Sequence, residues 1–542
     1  MPGSTERGLH KMKLNYNIDP ALLVDEVQGP RVIAMMKEAG VDTIWLWGYF
    51  YGTTWSSLET IAEAGKIARS HGFEAAIIQL PVGHPGNSLN PDDADVLLKI
   101  PDHWRYRQDS AGKPKYYIGD IEPVMVRENV ESIVALRDAG FKRFMMDDDL
   151  RLGELGDEIQ GCFCEICVSE FGRVSGRTLT REALVQALQD KTDTALMKEW
   201  VRYNCSKVTD MMKEMNVPGV ELGIMVMHLG DERHGIDMRE IQEAVPGVEF
   251  RVGELHFSDG EFGSPEGKAS ELLGIQYHLN LVGREHAVSE TTVFPPRSLS
   301  ENNLICKVKI AVSAGISDIY FMSGTWLIDE SYWSAWGRQY PAIRQIADWC
   351  DPYERAYPVH LAKGTHGAYG EPVEPPLLPY YAGLPVKPVR GNEPDATGEV
   401  LLFFGDYRIG DEWEKCFPLY KTVIVDRKAA ERNKGNLDRL PENVRLWEHE
   451  AGTLPAETEV ALLRRELEAC GAFKADFPRI IEGVNLALVS LPERNSVIVM
   501  NLEERPNAGL LALGDRRTPI ELPALGFALV EERDGQFNVH LF

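Results

Sequence analysis

The stretch FMMDDDLRLGELGDEIQGCFCEIC (144–167) holds two clusters that can do chemistry. Three carboxylates, Asp147, Asp148 and Asp149, follow an apolar run. Three thiols, Cys162, Cys164 and Cys167, come after them in a C-x-C-x-x-C spacing. Neighbouring carboxylates raise one another's pKa, because like charges disfavour ionisation. One of the three can then stay protonated near neutral pH and act as a general acid. Three thiols so close together suit thiolate ligation of a zinc ion, which takes four ligands in tetrahedral geometry. No cysteine precedes Cys162, and Cys205 falls in a separate helical segment. The fourth ligand must come from elsewhere, with His84, His103 and Asp120 as the available side chains. Such a centre would be structural, clamping the loop that follows the aspartates.

These clusters need a frame. Apolar runs rich in β-branched and aromatic residues recur at 11–18, 42–50, 74–82, 141–149, 220–229, 248–257, 286–294 and 317–326. Between them lie helix-like segments such as RVIAMMKEAG, VRENVESIVALRDAG and LICKVKIAVSAG, several ending in the Gly that stops a helix. Alternating strand and helix signals imply parallel β-α units. Eight of them predict a (β/α)8 barrel over residues 9–350. A doubly wound sheet would carry a Gly-rich phosphate loop after its first strand, and NYNIDPALL has none. Residues 351–395 are rich in Pro, Gly and Tyr and read as a connector. GEVLLFFGD, YKTVIVD and the helix PAETEVALLRRELEACG predict a small α/β domain over 396–475. Short strands with turn residues predict an antiparallel β domain over 476–542, with NLALVSLPERNSVIVMNL as a hairpin.

Composition narrows the partners. A chain of 542 residues exceeds one compact domain. A net charge of −26 argues against nucleic acid and against an anionic membrane surface. No apolar run approaches the roughly 18–20 residues that span a bilayer. The first residues lack the apolar core of a signal peptide. Eight cysteines are too sparse for a disulfide framework. A cytoplasmic protein with reduced thiols and no organic cofactor is the expectation.

In a barrel of this type the active site lies at the C-terminal ends of the strands. That rule selects Asn17, Trp47, Tyr49, the three aspartates, His228, Glu254, His256, Glu290 and Trp326. Asp147 serves equally well as an anchor for the loop that follows. Trp45 is expected to face the helix layer, since side chains alternate along a strand. Carboxylates on different strands with aromatic faces between them suit sugars. Glycoside hydrolysis needs one carboxylic acid for the leaving oxygen and a second carboxylate for the carbon or a water.

Three segments together resemble clan A glycoside hydrolases, most closely the family 42 β-galactosidases. They are CFCEICVSEFGRVSGR (162–177), SETTVFPPRSL (289–299) and KVKIAVSAGISDIYFMSGTW (307–326). The resemblance implies a barrel followed by a flavodoxin-like domain and a small C-terminal β domain. It implies a carbohydrate substrate and a homo-oligomer, a trimer or a dimer. Glu290 would be the nucleophile and Trp326 the platform under the sugar. Cys162, Cys164 and Cys167 would hold a structural zinc. The family's acid/base is a Glu that follows an Asn at the end of strand four. The matching positions here are Asp148 and Asp149, with Asp149 favoured as the acid and Arg151 orienting an aspartate. Glu254 is the reserve for the acid or for holding the nucleophile. Asn17, Trp47, Tyr49, His228 and His256 would contact the sugar. The family's zinc-binding Cys after strand three has no counterpart, and GKPKYYIGDIEP (112–123) offers only Asp120.

The expected activity is β-galactosidase-like hydrolysis of a small glycoside or oligosaccharide. Two readings compete with it. One is a lyase, aldolase or isomerase that holds a divalent metal through Asp147, Asp149, Glu254 and a His. The other is a sugar-binding protein whose catalytic site has degenerated.

Overall fold

The computed structural model describes residues 12–50, 52–54, 56–83, 99–147, 152, 160–227, 229, 231–253, 256–324, 327–351, 353–364, 374–391, 398–435, 437–472 and 477–542. The eight strand signals become eight parallel strands. These are β1 (Lys13–Ile18), β2 (Thr43–Phe50), β3 (Glu74–Leu80), β4 (Arg143–Met146), β5 (Glu221–Met225), β6 (Glu249–Val252), β7 (Ala287–Ser289 with Thr291–Thr292) and β8 (Asp318–Met322). Each pairs with its sequence neighbour, and β8 pairs back onto β1. β7 is split: its first half pairs with β6 and its second half with β8, so the ring closes through this strand. Helices cover the outside, set by ordinary caps. Ser57 caps Leu58–Ser70, Asp193 caps Thr194–Met215, and Gly40 at φ 74° ends Gln28–Ala39.

The barrel interior is polar at its N-terminal end. Arg143 bridges Glu74 at 2.9 Å and Glu249 at 2.8 Å, and lies 5.1 Å from the centre of the Trp45 ring. Asp318 sits beside them and accepts from Asn15. Burial, reinforced by the charge of Glu249, pushes the Asp318 carboxyl up to about 6. A carboxyl whose folded pKa exceeds its unfolded one takes up a proton on folding. Its contribution is full below the unfolded value and is lost as pH rises through about 6. Asp318→Asn keeps the shape without the charge. It is expected to stabilise the protein above that pH by on the order of 1–3 kcal/mol and to change little near about pH 4. Denaturant unfolding at the two pH values checks this, and equal shifts at both would contradict it.

The segment read as a connector is more than that. It supplies β9 (Val359–Ala362) and β10 (Val386–Val389), which join β11 (Val400–Phe403), β12 (Thr422–Val425) and β13 (Val444–Leu446) in one parallel sheet. The spatial order is β10-β9-β11-β12-β13, the flavodoxin-like order 2-1-3-4-5. β10 reads VKPV, and Pro388 lacks an N–H. The strand lies at the sheet edge, where Pro is tolerated.

The C-terminal unit is antiparallel. β14 (Arg479–Glu482), β17 (Asn507–Leu513) and β18 (Arg516–Leu522) form one sheet. β15 (Leu486–Leu491), β16 (Ser496–Asn501), β19 (Phe527–Arg533) and β20 (Gln536–Leu541) form the other. Ile480, Leu511 and Ile520 from the first sheet and Leu488, Val499 and Val530 from the second share one apolar core. Among the described residues no helix is long and apolar enough to cross a membrane.

Candidate active site and metal centre

Glu290 occupies the break in β7. Its backbone N–H donates to Val252 O at 2.8 Å, which fixes it beside the end of β6. Its carboxylate turns into the barrel and meets Arg251 of β6. Arg251 Nε pairs with Glu290 Oε2, and its Nη2 donates to Asp147 Oδ1. Thr292 Oγ1 donates to the other Glu290 oxygen. The guanidinium lies over the Tyr320 ring at 5.1 Å, and Tyr320 stacks on Trp45 at 5.4 Å. All these side chains are buried. Burial pushes the Glu290 carboxyl above its ordinary range, against the opposing pull of Arg251. Burial likewise drives the Tyr320 hydroxyl far up, so it stays neutral. The result is a buried carboxyl group oriented by two fixed donors, Arg251 and Thr292.

Reasoning from sequence does not select Arg251. Its signal is a charged residue between Phe250 and Val252 on the inward face of a strand. Asp147 shares that guanidinium, and its own N–H continues the ladder to Gln79 O at 2.7 Å. It therefore sits as an anchored partner of Glu290.

The other selected residues divide. Trp45 does not face the helix layer. It packs on Tyr320 and donates to Asn15 Oδ1 at 3.0 Å inside the barrel. Gly48 faces outward instead, because a Cβ there would meet Ile77 and Leu136. Trp47 shares the parity of Trp45, is fully buried, and meets the Phe50 ring edge-on at 4.5 Å. The register shifts between Trp47 and Phe50. Tyr49 turns to Glu128 on the helix Pro123–Asp138, which also holds Trp104 Nε1 at 2.7 Å. Tyr49 thus turns to the helix layer. Asn17 donates to Gly324 O at 2.7 Å, tying β1 to the end of β8. His256 holds φ 62°, a strained value for a non-glycine residue. Its Nδ1 lies 3.1 Å from Glu271 Oε2. Asp148, Asp149, Arg151, His228, Glu254 and Trp326 lie outside the described residues, as does His84.

The thiols find their fourth partner. Asp120, at the end of the hairpin strand Pro114–Gly119, joins Cys162, Cys164 and Cys167, with one ligand atom from each within 4.8 Å of the others. All four are buried. Cys164 also caps the helix Glu165–Ser175. His103 is engaged with Glu128 at 2.8 Å, and Cys205 donates to Glu232 O. Three sulfurs and one carboxylate oxygen are a donor set that suits zinc.

The sequence matches no protein-family model, and no curated protein matches it. Solved structures do match. A family 42 β-galactosidase from G. stearothermophilus aligns at TM-score 0.63 and 10% identity, over 96% of this chain and 98% of that one. An exo-carrageenase of family 42 from Bacteroides ovatus aligns at 0.55 and 10%, over 98% and 80%. α-L-Fucosidase isoenzyme 2 from Paenibacillus thiaminolyticus aligns at 0.57 and 11%, over 97% and 93%. At such identity the likeness concerns the backbone, and the chain has the three-part fold of these glycoside hydrolases: a parallel barrel, a flavodoxin-like sheet and a C-terminal β unit.

Proposed function

We propose that the chain is a glycoside hydrolase acting on a small glycoside or oligosaccharide by a two-carboxylate mechanism, with Glu290 as nucleophile. The observation that carries this reading is the placement of Glu290. It breaks the seventh strand of the barrel, is buried, and is gripped by Arg251 and Thr292. In the proposed sequence a strand-four Asp gives its proton to the leaving oxygen. Glu290 attacks the anomeric carbon, and the conjugate base of the acid then activates water against the glycosyl ester. Asp147 is bound to Arg251, which leaves Asp148 and Asp149 for proton transfer, with Asp149 favoured. Glu254 stays in reserve. Trp326 would underlie the sugar, and the proposal keeps His228, His256, Asn17 and Arg151 as its polar contacts. Zinc held by Asp120 and the three thiols would brace the loop after β4 and take no part in bond cleavage.

A panel of aryl and natural glycosides with product detection tests the reading, and no released sugar from any of them would remove it. The family 42 neighbours include both a β-galactosidase and an exo-carrageenase, so the sugar must come from that panel. Asp149→Asn is expected to lose far more activity on glycosides with poor leaving groups than on activated aryl glycosides, because only the former need an acid. Equal losses would count against Asp149. The metal-dependent lyase would need the carboxylate of Asp147, already engaged by Arg251. Chelation separates the two: a structural zinc affects stability first, a catalytic metal affects rate at once. Assembly as a homo-oligomer and a cytoplasmic location complete the proposal.

A further inference from the structure

Two cations crowd the sulfur cluster, and a four-ligand zinc site does not by itself require them. Arg105 grips Asp120 Oδ2, with Nε at 2.8 Å and Nη2 at 2.6 Å. Lys207 holds Asp120 Oδ1 at 2.5 Å and lies 3.3 Å from Cys167 Sγ. Asp120 is fully buried, and the side chain of Lys207 is only 13% exposed. Burying charge is costly unless opposite charge lies alongside. Three thiolates and a carboxylate bring four negative charges, and zinc brings two positive ones. The filled centre alone would leave two negative charges in the interior.

We propose that Arg105 and Lys207 are the counter-charges that neutralise the filled centre, one on each oxygen of Asp120. The proposal rests on the zinc reading above. Oδ2, which Arg105 grips, also lies 2.9 Å from Cys167 Sγ, so both cations sit directly against the ligand set. Two backbone N–H groups aid the thiolates. Gln108 N donates to Cys162 Sγ and Cys167 N to Cys164 Sγ, each at 3.4 Å. Lys207 belongs to the long helix Thr194–Met215. The counter-charge therefore ties this helix to the hairpin after β3 and to the loop after β4. Zinc would hold three segments together where the ligands alone hold two.

The test uses the full chain and reads zinc, not turnover. Zinc affinity is measured by competition with a chromophoric chelator for the wild type, Lys207→Gln and Lys207→Arg. Gln keeps a hydrogen bond to Oδ1 but not the charge. Lys207→Gln is expected to bind zinc about 10- to 100-fold more weakly, the usual cost of losing a partner to a metal ligand. Lys207→Arg should stay near the wild type. Cobalt substitution should show the charge-transfer absorption of three thiolates in every variant, so that a lost counter-charge is told from a lost ligand. Equal affinity for Gln and wild type would overturn the counter-charge role. A wild type that takes up no zinc would overturn the zinc reading with it. Should Lys207→Gln not fold, Arg105→Gln carries the same expectation and the same refutation from the other side of Asp120.

Discussion

Glu290→Gln is expected to lower turnover on any accepted glycoside by on the order of 10⁴-fold or more while the protein stays folded. Both halves follow from the geometry. The carboxylate of Glu290 is paired with the Arg251 guanidinium, and an amide cannot form the glycosyl ester. The fold should survive because Arg251 now serves two carboxylates, Glu290 and Asp147, and one negative charge is in excess. Gln removes that excess, keeps the shape, and leaves an oxygen for Thr292. Burial already pushes the Glu290 carboxyl up, a sign that its charge is held at a cost to stability. Steady-state rates paired with denaturant unfolding decide the matter. Wild-type rates in the variant would end the role of Glu290.

Arg251→Met has the opposite balance. It is expected to destabilise the protein by roughly 3–5 kcal/mol, the usual result of removing one side of a buried ion pair. Two carboxylates would then face each other in the barrel without their shared cation. Turnover should fall as well, since Glu290 loses the donor that orients it. Adding Asp147→Asn to the Met variant removes one of the stranded charges and should restore part of the stability. Denaturant midpoints of the single and double variants give the answer. A Met variant as stable as the wild type would mean that the guanidinium is not the common partner.

The barrel was legible because its signals repeat. Each strand run is followed by a helix pattern with its own stop, and eight such units admit few arrangements. The flavodoxin-like sheet was half hidden because β10 carries a Pro and both β9 and β10 lie within a Pro- and Gly-rich stretch. Edge position resolves the conflict, and edge position is not visible in a linear pattern. In the site, Glu290 could be singled out because it is the one carboxylate in the run 286–294. Arg251 could not, since a lone Arg inside a short apolar strand looks the same whether it points to solvent or to the axis. Tyr49 was misplaced by a single irregular register step after Trp47. Asp120 was one of several open choices until the hairpin carrying it was seen to fold back onto the thiols.

The split in β7 has a consequence for how this chain can change. Glu290 is the residue at which hydrogen bonding passes from one neighbouring strand to the other, so the proposed nucleophile and the seam of the ring coincide. The strand cannot vary in length. One residue added or removed between Ala287 and Thr292 would reverse which side chains point inward. It would turn the carboxylate out toward the helices and break the ring at the same stroke. Point substitutions here can leave the ring closed, but insertions and deletions cannot.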